Sequence, residues 1–203
     1  MTTSQLTEMQ QSSLSGLLSA ATAAASQAMQ QWTGQSVCLT LDSLLELTLE
    51  EAAESLNVDD EPLSMVVLGI DEKYGGQLIL AFGEQESESL AYTLVGVEDS
   101  STPEGAELKQ SALMETGNIL GCAYVNAIST AVDLALVPTP PCFVQDFGCS
   151  VLGQALVQQT MSGDNAIVCH TRFTCDDEEL HWNVFFLPTR ELQKELKDSL
   201  QTA

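Results

Sequence analysis

Ser111, Glu115 and Asn118 stand at steps of four and three residues in "SALMETGNILGCAYVNAIS", residues 111–129. At about 100° per residue, offsets of four and seven return to within roughly 40° of the start, so on a helix the three side chains form one polar stripe. A carboxylate offers only acceptors, a carboxamide offers a donor and an acceptor, and a hydroxyl can serve as either. Leu113, Ile119, Leu120, Tyr124 and Ile128 put apolar bulk on other faces, enough to anchor the segment in a core. By spacing alone the stripe also fits the solvated face of an amphipathic helix. Gly117 and Gly121 need a further reason, because each costs about 1 kcal/mol relative to alanine in an exposed helix interior. The expected compensation is close approach of another backbone, that of a partner or of a sister helix.

Other chemistry is thinly represented. Asp146 and Asp164 could form an acid/base pair, but both fall at expected element boundaries, where capping accounts for them. The chain has no GxSxG, no glycine-rich phosphate loop and no HExxH. Cys38, Cys122, Cys142, Cys149, Cys169 and Cys175 are scattered without CxxC spacing, which suits reduced, mostly buried thiols. His170 and His181 read as hairpin residues, and no metal or cofactor is expected in this chain.

The elements that must position the stripe follow from periodicity. Leu6, Met9, Leu14, Leu17, Leu18, Ala21, Ala25 and Met29 recur mostly at three- and four-residue steps, which predicts a long helix over 4–32. A short strand in "GQSVCLTLDS", a helix in "TLEEAAESL", a hairpin in "PLSMVVLGIDEKYGGQLILAFG" and a helix in "QESESLAYTLVG" complete the first half. After the linker "VEDSSTPEGAE" the order repeats. A long helix (about 106–134) leads to the proline-rich edge segment "LVPTPPCFVQDF" and a helix in "GCSVLGQALVQQTMSG". A hairpin turning near Asp176 to Glu179 and the terminal helix "RELQKELKDSL" follow. The expected fold is one α+β domain over 1–203, duplicated as repeats of about 1–97 and 104–203. Its two hairpins would join in one antiparallel sheet, with the long helices side by side on it.

Six Lys plus Arg against 29 Asp plus Glu give a net charge of −23, which repels phosphate backbones and anionic lipid. Nucleic acid and membrane are therefore not expected partners; a protein with a basic rim around its own site is. Acidity serving only solubility is the plain alternative. The N-terminal stretch has no basic n-region, and its apolar residues are interrupted by Ser, Thr and Gln, so neither a signal peptide nor a membrane span is expected there. A cytoplasmic location follows as an expectation.

The stripe and its context, "ETGNILG" followed by "NAIS" at Asn126 to Ser129, resemble the CheC, CheX and FliY phosphatases of bacterial chemotaxis. The family signature is Asp or Ser, three residues, Glu, two residues, Asn, which here falls on Ser111, Glu115 and Asn118. "PTPP" and "FFLP" also look like that family's second half, so the resemblance covers nearly the whole chain. It implies hydrolysis of the aspartyl phosphate on a CheY-type response regulator, which would carry its own Mg2+. Glu115 would pair with the regulator's active-site lysine and Asn118 would orient the attacking water. Ser111 would support the helix interface.

Many CheC proteins carry a second motif on the first long helix. Matching "AAASQA" to "NAISTA" by an offset of 103 sets Ser12 against Glu115 and Ser15 against Asn118, and no Glu-x-x-Asn occurs in residues 1–35. One active site is the expected count. A non-catalytic adaptor that binds a response regulator, a CheD-like deamidase or a flagellar switch component is the alternative, and exposed hairpin edges could join two chains as a homodimer. If the acidic surface steers association, the on-rate with a basic-rimmed partner falls as salt rises; a stopped-flow rate independent of ionic strength would remove that role for the charge.

Overall fold

The computed structural model describes residues 6–48, 51–52, 62–70, 75–147, 165–176 and 178–200. Helix α1 spans Glu8–Thr33. It opens on a capping box in which Thr7 Oγ1 accepts from the Gln10 N–H (3.3 Å) and Gln10 Oε1 accepts from the Thr7 N–H (2.9 Å). It closes at Gly34, whose φ of 71° is the left-handed conformation glycine adopts at no steric cost. Strands β1 (Val37–Thr48), β2 (Pro62–Gly69) and β3 (Gly76–Phe82) follow, then α2 (Glu84–Val95). Helix α3, Pro103–Val132, starts at the Thr102 cap with Pro103 in its first turn and ends at Asp133. Strands β4 (Cys142–Phe147), β5 (Asn165–Cys175) and β6 (Glu178–Pro188) precede helix α4, Arg190–Leu200. The helix expected in "GCSVLGQALVQQTMSG" lies outside the described residues, and that in "TLEEAAESL" largely so.

All six strands form one antiparallel sheet in the order β1-β5-β6-β3-β2-β4. Exchanging the two halves of the chain maps this order onto its own reverse, the signature of the expected duplication. The hairpins meet at the centre, where Leu78 pairs with Phe186 and Leu80 with Val184. Each half sends its first strand to the other half's hairpin: β1 pairs with β5 and β4 with β2. The edges are therefore β1 and β4, and the expectation of exposed hairpin edges is corrected. A hairpin that has one strand at the centre and the other paired to a visiting strand has no edge left to offer. The proline-rich segment does reach an edge, as β4.

Strand β1 is longer than its alternation suggested, because the β1–β5 register shifts between Leu41 and Ser43. That extra residue, Asp42, reverses the side-chain phase: Val37 and Leu39 are buried before it and Leu44 after it. The larger core cluster joins α1, α2, α3 and α4 to one sheet face through residues such as Leu18, Met29, Leu120, Tyr124, Phe173 and Phe186. A smaller cluster including Met65, Ile79, Val168 and Phe185 belongs to the other face. Near the middle of the first cluster the Tyr124 hydroxyl bonds Thr22 Oγ1 at 2.9 Å, linking the two long helices. Ser26 and Ser129, matched by the offset of 103, play equivalent roles in the two halves, each tying its long helix to the backbone of the segment that follows it. Ser26 Oγ accepts from the Leu39 N–H (2.8 Å) and donates to its carbonyl (3.2 Å), while Ser129 Oγ accepts from the Leu136 N–H (3.3 Å) and donates to the Leu134 carbonyl.

The two glycines of α3 face the sheet, which corrects the expectation that a sister or partner backbone approaches them. A Cβ on Gly117 would lie 2.5 Å from Val66 Cγ1, and one on Gly121 would lie 2.9 Å from Leu68 Cδ2. Gly16 on α1, by contrast, has nothing within 4 Å of the position its Cβ would take. Urea unfolding should therefore separate them: Gly117→Ala destabilises by about 2 kcal/mol through overpacking, whereas Gly16→Ala stabilises by up to about 1 kcal/mol through helix propensity.

Candidate functional site

Turning its glycines to the sheet fixes the rotation of α3 and leaves Ser111, Glu115 and Asn118 on the side away from it. Ser111 is exposed; Glu115 and Asn118 are half-buried. The stripe is a continuous feature of one helix surface, as its spacing required. Glu115 and Ser111 share a shallow hollow of about 390 Å3 with Glu107, Gln110, Met114 and Pro141, the last contributed by the approach to β4. Asn118 opens on the other side into a trough of about 580 Å3 between α1 and α3. Ala21, Ala24, Ala25 and Ala28 form the α1 wall, and their small side chains leave the amide accessible. The alanine-rich run of the first helix thus has a local consequence that its own sequence did not disclose.

Among the described residues no hydrogen bond or ion pair engages the Glu115 carboxylate. The only Lys or Arg on α3 is Lys109, and its ammonium, buried beneath α2, pairs with Glu84 at 2.7 Å. Glu115 therefore presents an uncompensated negative charge, able to take a cation from outside the chain. The Asn118 carbonyl oxygen accepts from the Cys122 thiol at 3.5 Å, leaving its NH2 group open. Burial and then the neighbouring Glu115 carboxylate push the Cys122 thiol above its ordinary pKa, so it stays protonated and a donor at neutral pH. Sequence reasoning counted Cys122 among scattered thiols; the i, i+4 spacing to Asn118 was the signal for it.

The other candidates sit elsewhere. Asp146 Oδ1 accepts from the Phe147 N–H at 2.7 Å, a local backbone bond at the end of β4; Asp164 lies outside the described residues. His170 and His181 are on the β5–β6 hairpin, bonded to Asn183 (2.6 Å) and Glu179 (3.2 Å). Cys169 and Cys175 are buried, but Cys38 and Cys142 are exposed on the edge strands, so the thiols are less uniformly buried than expected. Cys149 lies outside the described residues. On α1, Ser12 is exposed and Ser15 half-buried at the positions matching Glu115 and Asn118, which leaves that helix without the carboxylate and amide. No helix among the described residues is long and apolar enough to cross a membrane.

A duplicated α+β sheet with paired long helices is the architecture of FliY and of the FliM middle domain. Thermotoga maritima FliY superposes with a TM-score of 0.70 at 11% identity, covering 98% of this chain and 99% of that one. The FliM middle domain from H. pylori gives 0.66 at 16% identity, covering 94% and 98%. No protein-family model matches the chain. In sequence it is similar to the CheY-P phosphatase CheC of Bacillus subtilis (strain 168), 25% identical over 165 residues that make up 79% of each protein. The chain is thus similar to CheC in sequence and shares the fold of FliY and the FliM middle domain.

The half-buried ion pair that takes Lys109 out of play can be probed by itself. Glu84→Ala leaves an ammonium in the interface and should cost about 2 kcal/mol, whereas Lys109→Met, which removes the charge and keeps the stem, should be nearly neutral; equal losses in thermal unfolding would mean that the pair acts only through packing.

Proposed function

We propose that this protein accelerates hydrolysis of the aspartyl phosphate on a CheY-type response regulator. The observation that carries the reading is the pairing of an uncompensated carboxylate, Glu115, with an accessible carboxamide, Asn118, one turn apart on the outward side of α3. The similarity to CheC, a CheY-P phosphatase, supplies the substrate class. Docking would bring Glu115 against the regulator's active-site lysine, which has no competitor on α3. Asn118 would then hold a water in line with the phosphorus–aspartate bond through a hydrogen bond to its outward-facing carboxamide. Water oxygen bonds to phosphorus, the bond to the aspartyl oxygen breaks, and inorganic phosphate and the free carboxylate leave. Such a transfer depends on positioning and charge compensation, and the Mg2+ bound by the regulator would supply the latter. Ser111, at the rim of the hollow, belongs to the docking surface rather than to the reacting atoms.

A second reading has its own support. The fold is shared with the FliM middle domain, which in H. pylori is also known in a FliG complex, and the first repeat keeps a long helix without the motif pair. On that reading the chain is an adaptor for a regulator, a CheD-like protein or a switch component.

Decay of a phosphorylated CheY-type regulator separates the two. The parent should shorten its lifetime; Asn118→Ala should lose at least about tenfold of that acceleration with regulator binding retained. Glu115→Ala should raise the concentration needed for half-maximal effect. Binding to the phosphorylated regulator without acceleration would select the adaptor, and no binding would reject both.

A further inference from the structure

A terminal carboxamide can turn over by 180°, exchanging oxygen and nitrogen, and only one of the two states presents its NH2 group to an incoming partner while keeping the carbonyl oxygen on the trough side. On an exposed helix face nothing ordinarily selects between them. Here one group does: the Cys122 thiol, one turn further along α3, donates to Asn118 Oδ1 at 3.5 Å. Cys122 is half-buried in the trough and has no other hydrogen bond among the described residues, and the facing α1 side chains Ala21, Ala25 and Ala28 offer neither donor nor acceptor. Among the described residues, the thiol is the only side-chain polar group bonded to Asn118.

We propose that Cys122 is a positioning residue that holds the Asn118 amide in a single flip state, with Oδ1 toward the α1–α3 trough and Nδ2 outward. The proposal rests on the reading of Asn118 as the water-orienting group, and it assigns to a thiol the task that fixes that group before the partner arrives. Preorganisation of this kind raises the rate of the bound complex and leaves docking alone, because Cys122 lines the trough and not the hollow that holds Ser111 and Glu115. A thiolate would reverse the preference by repelling Oδ1 and attracting the NH2 group. The raised thiol pKa, caused first by burial and then by Glu115, keeps the neutral donor in place at neutral pH.

The test compares the parent with Cys122→Ala and Cys122→Val, each alone and combined with Asn118→Ala, in two measurements. In single-turnover decay of the phosphorylated regulator at saturating protein, loss of the donor should lower the rate about two- to fivefold, as for one modest hydrogen bond, with regulator affinity unchanged. The same change made in the Asn118→Ala background should have no further effect. In 15N-edited NMR of the free protein, the two Asn118 side-chain amide protons should shift in both Cys122 variants. Unchanged rates, or equal losses with and without Asn118, overturn the positioning role and leave Cys122 a packing residue. If the parent itself fails to accelerate decay, the phosphatase reading falls and the NMR result alone decides: shifted amide protons support the flip-state assignment, and superimposable ones overturn it.

Discussion

The contact on which the site depends is that of Gly117 and Gly121 with Val66 and Leu68. Four helical residues advance about 6 Å and two strand residues about 6.6 Å, so the two glycines match two successive inward side chains of β2. A methyl group on Gly117 would collide with Val66, so no other residue lets the helix lie this close. The helix is thereby pinned in rotation as well as depth. Ser111, Glu115 and Asn118 then lie about 80 to 140° around the helix from the glycine direction, clear of the sheet but flanked by neighbours. A helix free to roll by one residue, about 100°, would bury the carboxylate or expose the core.

The electrostatic arrangement follows from scarcity. A chain with six basic residues and 29 acidic ones cannot neutralise its own carboxylates. The one cation on α3 is committed to a half-buried pair with Glu84, and Arg172 is committed to Asp42 at 2.9 Å on the far part of the sheet. Glu115 is left uncompensated in a half-buried position, where a charge is screened less than on an open surface. The site is thus incomplete in charge, and a cation brought by a partner completes it.

The exchange of first strands couples the halves. Neither half can finish its own hairpin edge, so the sheet that supports α3 includes β1, β2 and β3 as well as the strands of the second half. This explains why a first repeat without Glu and Asn keeps its long helix. Helix α1 forms the far wall of the trough beside Asn118, contributes Thr22 to Tyr124, and mirrors Ser129 with Ser26. Its structural duties persist where its motif does not.

Much of this was legible in the sequence. Three- and four-residue periodicity placed both long helices, alternation with turn residues placed both hairpins, prolines at 138, 140 and 141 put β4 at an edge, and the spacing 111, 115, 118 fixed one polar stripe. These are local properties, set by bond geometry and by which side chains tolerate water. Four features were decided only by the tertiary structure: the strand exchange, the phase reversal at Asp42, the direction in which Gly117 and Gly121 face, and the Cys122 to Asn118 bond within a trough whose far wall is α1. Each depends on which surface a second, distant segment presents. A one-dimensional pattern records that a helix has a polar side and a small side; only packing against the sheet decides which of them faces the core and which stays open to a partner.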